Sequence, residues 1–148
     1  MAQADERMEK LRRKYGAKGI ANGLRLHPDH FAEMLEWRDE LDPHYAKLWL
    51  DYTYGGFYQR GVLDDKTRIL CVVGVCTVLD ETAQNENHLR AALIFGATPR
   101  EVLEVVLQST IYCGMPRSLR AAAILERILE EQGRSAELTD TQLPLPVS

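Results

Sequence analysis

The sequence lacks any hydrophobic run long enough to cross a membrane. Its longest nearly apolar stretch is the eleven residues from Ile69 to Leu79, whereas a spanning helix needs about twenty. The first residues are charged and contain no apolar signal core, so nothing in them directs export. With 45% hydrophobic and 27% charged residues, the composition is that of a globular protein, and we expect a cytoplasmic location.

The sequence also lacks an excess of positive charge. Its 18 lysines and arginines are outnumbered by 22 aspartates and glutamates, which gives a net charge of -4. A surface that binds nucleic acid needs a basic field to attract phosphates, so we expect no nucleic-acid partner. The three cysteines do not suit a disulfide framework, and we interpret Cys71 and Cys76 as small buried hydrophobic residues.

Ligand sets for a metal are missing as well. The histidines at 27, 30 and 44 stand in capping and surface contexts, and the core helices carry no His, Asp or Glu pair at ligand spacing. We therefore expect no metal site. Cys113 ends a predicted helix, where the helix dipole disfavours a thiolate, so we interpret it as a packing residue and not as a nucleophile.

What the sequence does contain is a succession of helix signals. Asp42-Pro43 is a capping carboxylate followed by a proline at the first helical position, and Thr98-Pro99-Arg100-Glu101 is a capping box. Gly96 suits the left-handed position that closes a helix, and Gly114 is expected to close the next one. The run from Ile69 to Leu79 is too long for a lone strand and predicts a central helix, apolar all round. These signals predict an all-α, single-domain bundle of about six to seven helices.

Composition along the chain predicts three parts. Residues 1–23 form an N-terminal extension that begins with a charged, helix-prone segment and becomes rich in turn residues. Residues 24–133 form the helical domain, in which Asp29 is expected to cap a helix and Ile111 to belong to a buried face. Residues 134–148 are polar and then proline-rich, and we expect a flexible tail.

Three groups of segments resemble the carboxymuconolactone decarboxylase family. They are Tyr52 to Arg68, His88 to Leu93 with Gly96 to Val102, and Glu104 to Pro116. The resemblance implies an all-α protein without a cofactor that forms a homo-oligomer, a trimer or a hexamer. It also implies a carboxy-lyase that removes CO2 from a small carboxylated lactone or enolisable acid, of the 4-carboxymuconolactone type found in aromatic-compound catabolism.

The chain departs from its relatives at several positions. Related alkylhydroperoxidase-like proteins carry a C-x-x-C pair just before the position of His88, but here those positions are Glu81 and Gln84, so thiol-relay chemistry is absent. In the family's aromatic-Gly-Glu pattern, this chain has Gly56 at the position of the glutamate. It also has Leu119 where the family has an asparagine. Isomerisation, cyclisation, lactone hydrolysis and a non-catalytic ligand-binding oligomer therefore stay open as alternatives.

Loss of CO2 into a conjugated carbonyl needs a group that transfers protons and a cation that holds the carboxylate. His88 is the natural proton-transfer residue because the ordinary pKa of histidine lies near neutral pH, although a surface or interface histidine is the alternative interpretation. Arg60 or Arg68 can hold a carboxylate through both guanidinium nitrogens, and either can instead serve a structural ion pair.

Hydrogen-bond donors must also orient the substrate. Six of the eleven aromatic residues fall between positions 45 and 58, which predicts either an aromatic core or interface, or a pocket wall with phenol donors. Gln108 lies in an otherwise apolar helix and suits either a substrate contact or a bond between helices. The donors that we predict are Gln108, Tyr112, Tyr58 and Tyr54.

Overall fold

The structure is a computed structural model that describes residues 2–28 and 30–139. All regular structure in these ranges is helical, with nine α-helices and a 3₁₀ turn at Phe57–Gln59, which confirms the all-α prediction with slightly more helices than expected. The helices are α1 Ala2–Tyr15, α2 Ala17–Leu26, α3 Phe31–Leu41, α4 Pro43–Thr53, α5 Asp65–Leu79, α6 Thr82–Ile94, α7 Pro99–Cys113, α8 Met115–Glu131 and α9 Ala136–Thr139.

The helices belong to two compact units, residues 1–64 with α1 to α4 and residues 65–148 with α5 to α9. The three-part division into 1–23, 24–133 and 134–148 stays a prediction, and most of the predicted tail lies outside the described residues. Among the helices of the described ranges, none combines the length and the apolar character that a membrane crossing requires.

Helix α2 occupies the stretch where turn residues were expected. Its glycines provide room for packing instead of turns: a Cβ atom added at Gly23 would lie 1.9 Å from Phe31 Cε2, and one at Gly19 would lie 3.0 Å from Leu50 Cγ. The two glycines are four positions apart and share one helix face. Because this face has no side chains at the two glycines, the backbone of α2 packs directly against side chains of α3 and α4.

Aromatic rings fill the space between α3 and α4. The rings of Phe31 and Trp49 stack with centroids 6.0 Å apart, and Tyr54 meets each of them edge-on at 5.1 Å. The guanidinium of Arg38 lies 4.0 Å from the Trp49 ring centroid. Helix α3 begins at Phe31, and its predicted cap, Asp29, lies outside the described residues.

The other helix signals are confirmed. Asp42 Oδ1 accepts a hydrogen bond from Tyr45 N at 2.8 Å, ahead of Pro43. At α7, Thr98 Oγ1 accepts from Glu101 N at 3.1 Å, and Glu101 Oε2 accepts from Thr98 N at 2.8 Å. Gly96 and Gly114 have φ angles of 81° and 78°, so both occupy positions that side chains rarely tolerate.

Helix α5 is the centre of the second unit, where it packs on α6, α7 and α8. Its buried side chains include Ile69, Val73 and Cys76. Three neighbouring helices do not surround it, so Val75 and Leu79 stay exposed although the helix is central, and the interpretation of Cys71 as buried is wrong. For the same reason Ile111 on α7, predicted as buried, is 73% exposed.

Ion pairs hold α6 against α8. Glu86 on α6 accepts from Arg127 of α8 at 2.7 Å and from Arg90 at 2.9 Å, and Arg127 also pairs with Glu131 at 2.9 Å. The two arginines hold the pKa of the Glu86 carboxyl below its usual value. This network fixes the outer face of α6, the helix that carries His88.

We expect Gly23→Ala to lower the free energy of unfolding by about 2 kcal/mol or more, because the added methyl group has no space against Phe31. The preference of helices for alanine acts in the opposite direction by up to about 1 kcal/mol, so the sign of the change is informative. Urea unfolding measures it. Gly61→Ala is the matched control, since nothing lies within 4 Å of a Cβ atom added there. A stabilised Gly23→Ala protein would contradict the packing.

Candidate active site

His88 lies on the half-buried side of α6, in the second unit. Its neighbours on the buried face of the helix include Asn85, Leu89 and Ala92. Burial lowers the pKa of the imidazole from 6.5 to about 4, because the charged form loses hydration there. The ring is therefore neutral near pH 7, and it can accept one proton and donate through one N–H.

A groove of about 750 Å³ runs along α5 and α7. The helices start side by side, since Lys66 Nζ lies 2.7 Å from Glu101 Oε1. Gln108 and Tyr112 line the groove from α7, four residues apart on one helix face, with Glu104 in the same row. The remaining lining residues are mostly apolar: Thr67, Leu70, Cys71, Gly74, Val75, Val78, Leu79, Val105 and Ser109.

This groove brings together two of the predicted site residues, Gln108 and Tyr112, and both are exposed. Neither His88 nor Arg68 is among the residues that line it. The described side chains along the groove include one carboxylate, Glu104, and no lysine or arginine. A substrate carboxylate placed here would need a cation from outside the groove.

The first unit carries the other three predicted residues, Tyr54, Tyr58 and Arg60. Tyr54 is 3% exposed and stacks on Tyr58 with centroids 5.6 Å apart. Burial raises the pKa of the Tyr54 phenol above its usual value. Arg60 follows the 3₁₀ turn and is exposed, with its guanidinium 5.9 Å from the ring centroid of Phe57. It lines a small open groove together with Leu48, Asp51, Tyr52, Gly56 and Phe57.

The position of the missing family glutamate has a steric explanation. A Cβ atom added at Gly56 would lie 2.5 Å from the carbonyl oxygen of Tyr52 and 3.1 Å from that of Asp51. The backbone turns so tightly after α4 that no side chain fits at this position without a local rearrangement. A glutamate at this position would thus need a different backbone path in this chain, in addition to adding a charge.

Arg117 and Arg120, near the position where the family has an asparagine, bond within the second unit. Arg120 Nε donates to Asp80 Oδ1 at 2.9 Å, and Arg117 Nη1 donates to the Val78 carbonyl at 2.5 Å. Asp80 has a φ of 63°, and its ion pair with Arg120 holds the pKa of its carboxyl below the usual value. The two arginines thus connect the start of α8 to the turn between α5 and α6.

Sequence reasoning did not single out Asn85, which lies one helical turn before His88 and is buried. Asparagine is most often a surface or capping residue, so its position in the first turn of α6 gave no signal of burial. Its burial depends on how α6 rotates against α5, which the pattern of α6 alone does not determine.

Comparison with known proteins supports the resemblance seen in the segments above. The family model described as the carboxymuconolactone decarboxylase family matches residues 43–127. A 15.0 kDa protein from the nqo9-nqo10 intergenic region of Paracoccus denitrificans is 31% identical over 96 residues, which are 64% of this chain and 72% of that protein.

Two further relatives are named as decarboxylases. The 4-carboxymuconolactone decarboxylase of Acinetobacter baylyi is 26% identical over 108 residues, 73% of this chain and 81% of its own. Nitrosuccinic acid decarboxylase npaB of Metarhizium robertsii is 28% identical over 85 residues, 57% of this chain and 59% of its own.

The buried imidazole of His88 predicts a pH dependence of stability. Because its pKa is about 4 in the folded chain and 6.5 in the unfolded chain, the unfolded chain binds more protons between these values, and stability falls as the pH falls through this window. This group alone is expected to remove about 2 kcal/mol between pH 7 and pH 5. Urea unfolding of the wild type and of His88→Leu at both pH values measures the difference. An equal loss in both proteins would show that His88 is not the cause.

Proposed function

Because the chain belongs to the carboxymuconolactone decarboxylase family, we propose that it is a cofactor-independent decarboxylase that acts on a small carboxylated lactone or a similar enolisable acid. Two relatives carry names for the decarboxylation of different acids, 4-carboxymuconolactone and nitrosuccinic acid. These names support a class of reaction and not one substrate. A role in aromatic-compound catabolism and a cytoplasmic location are parts of the same proposal.

The observation that carries the proposal is the half-buried, neutral imidazole of His88 on a helix within the matched range. In the proposed reaction the bond to the carboxylate carbon breaks, CO2 leaves, and the electron pair moves into a conjugated carbonyl as an enolate. The enolate carbon then takes up a proton. The substrate carboxylate and the enolate are both anions, and an anion within about 4–6 Å raises the pKa of an imidazole. Substrate binding itself would therefore favour protonation of His88.

The other predicted residues take supporting roles in this proposal. Arg60 or Arg68 holds the carboxylate, since a guanidinium matches both of its oxygens. Gln108 and Tyr112, which share one face of α7, donate hydrogen bonds to the acceptor carbonyl. Tyr58 and Tyr54 are the remaining proposed donors, and the phenol of Tyr54 is buried in the aromatic cluster of the first unit.

The tight backbone at Gly56 favours a second candidate reaction. A family carboxylate is absent there, so isomerisation, cyclisation or lactone hydrolysis remains an alternative to decarboxylation. Product analysis separates these reactions, because only decarboxylation releases CO2 in proportion to the substrate consumed. A non-catalytic ligand-binding oligomer is the remaining alternative, and it would show saturable binding of carboxylated lactones without turnover of any of them.

We expect His88→Gln to lower the rate of CO2 release by at least about a hundredfold, since proton transfer by a positioned side chain contributes this much. The assay follows CO2 from 4-carboxymuconolactone and from related enolisable acids. His44→Gln is the matched control, because His44 is an exposed histidine near the start of α4. A near-normal rate in the His88 variant would eliminate the proton-transfer role.

We also propose that the second unit pairs with other copies of the chain, in a trimer or a hexamer. Large apolar side chains stay exposed along α5, α7 and the start of α8, and exposed apolar patches often mark contacts between proteins. They are Val75, Leu79, Leu107, Ile111, Tyr112, Met115 and Leu119.

Ile111→Lys is expected to shift the mass measured by light scattering toward that of one chain, 16.8 kDa, because a charge would be buried at the contact. Gln132→Lys provides the control, since Gln132 is exposed just after the end of α8 and is not one of these exposed apolar residues. A wild-type protein that stays monomeric at micromolar concentration would refute the assembly.

A further inference from the structure

A buried polar pair connects α5 and α6 one helical turn before His88. Asn85 is 3% exposed, and its partner Thr77 is buried as well. Thr77 Oγ1 donates its only proton to the carbonyl of Val73 at 2.8 Å. The same oxygen accepts a hydrogen bond from Asn85 Nδ2 at 3.2 Å.

In this arrangement the amide nitrogen of Asn85 points toward Thr77. A reversed amide would require the Thr77 hydroxyl to turn away from the Val73 carbonyl and donate to the amide oxygen. Asn85 Oδ1 is therefore the outer atom of the pair, and within the described residues it is a buried acceptor without a hydrogen-bond partner. A buried polar atom of this kind costs about 1–3 kcal/mol, so its retention calls for a reason.

The position of Asn85 on the helix indicates what the acceptor faces. Side chains three positions apart on an α-helix are neighbours, so the buried Asn85 lies next to the half-buried His88 on α6. The two ring nitrogens of a histidine differ in role, and the hydrogen bond made by one decides which of them carries the proton. An acceptor next to the ring would select the tautomer.

We propose that Asn85 is a positioning residue for His88: its Oδ1 accepts the Nδ1–H of the imidazole and leaves Nε2 to exchange a proton with the substrate. The structure supplies the buried acceptor but does not itself make this bond, and the proposal assigns the donor. The part that concerns the substrate rests on the proposed function, whereas the choice of tautomer does not.

A neutral acceptor suits this position better than a carboxylate. The nearest carboxylate on α6, Glu86, is engaged by Arg127 and Arg90 at 2.7 and 2.9 Å on the outer side of the helix. An amide orients the ring without adding negative charge, so His88 remains neutral until an anionic substrate arrives. The lowered pKa of His88 is in keeping with such surroundings.

Nitrogen-15 NMR of histidine-labelled protein tests the tautomer directly. We expect the Nδ1–H form of His88 to predominate in the wild type and the Nε2–H form in Asn85→Leu. Asn87→Leu makes the same chemical change next to His88 on the same helix and is expected to leave the tautomer unchanged. A wild-type His88 in the Nε2–H form, or an unchanged tautomer in Asn85→Leu, would overturn the proposal.

A second variant covers the case in which Asn85→Leu does not fold. Asn85→Asp keeps an oxygen at the acceptor position and adds a charge, so the Nδ1–H form should persist and the pKa of His88 should rise. NMR titration measures both. A His88 pKa in Asn85→Asp equal to that of the wild type would show that residue 85 does not face the ring.

Turnover distinguishes this inference from the proposed function. Asn85→Leu is expected to lower kcat by about ten- to hundredfold with KM nearly unchanged, because a misplaced proton-transfer group fails in the reaction and not in binding. A tautomer change in a protein that decarboxylates nothing leaves the positioning role standing and removes the proposed function. Normal kcat in Asn85→Leu with an unchanged tautomer removes the positioning role and leaves decarboxylation standing.

Discussion

The second unit depends on covering helix α5, which carries no charged side chain between Ile69 and Leu79. Burial of such a helix is favourable by about 25 cal/mol for each Å² of apolar surface removed from water, so α6, α7 and α8 gather around it. They cover part of its circumference and leave an apolar groove along the side shared with α7. The groove and the exposed apolar stripe are thus two results of one constraint.

Polar interactions then set the rotation and ends of the surrounding helices. The capping box of Thr98 and Glu101 fixes the start of α7, and the pairing of Glu86 with Arg127 holds the outer face of α6. On the inner face of α6, the hydrogen bond from Asn85 to Thr77 connects this helix to α5. Charged side chains hold the helices together at the solvent-exposed surface, and neutral polar side chains hold them in the core. An unpaired charge in the core would cost far more free energy than one at the surface. The buried His88 follows this rule by remaining neutral at rest.

Local signals in the sequence predicted the helix starts well because each depends on neighbouring residues only. Asp42, Thr98 and Gly114 act within four positions of themselves, and the structure confirms all three. The second helix was missed for the opposite reason. Glycine is read as a turn residue, but Gly23 is required by the ring of Phe31, which lies eight positions away and reaches it only in the folded chain.

The sequence by itself determined the helical class, the positions of the caps and the family resemblance, because periodicity, capping and continuous motifs are properties of short segments. Only the tertiary structure decided which faces of those helices are buried, since that depends on how many neighbours each helix has. It left Ile111 exposed and placed Asn85 in the core. It also lowered the pKa of His88 below that of an ordinary histidine, because loss of hydration is a consequence of packing and not of spacing.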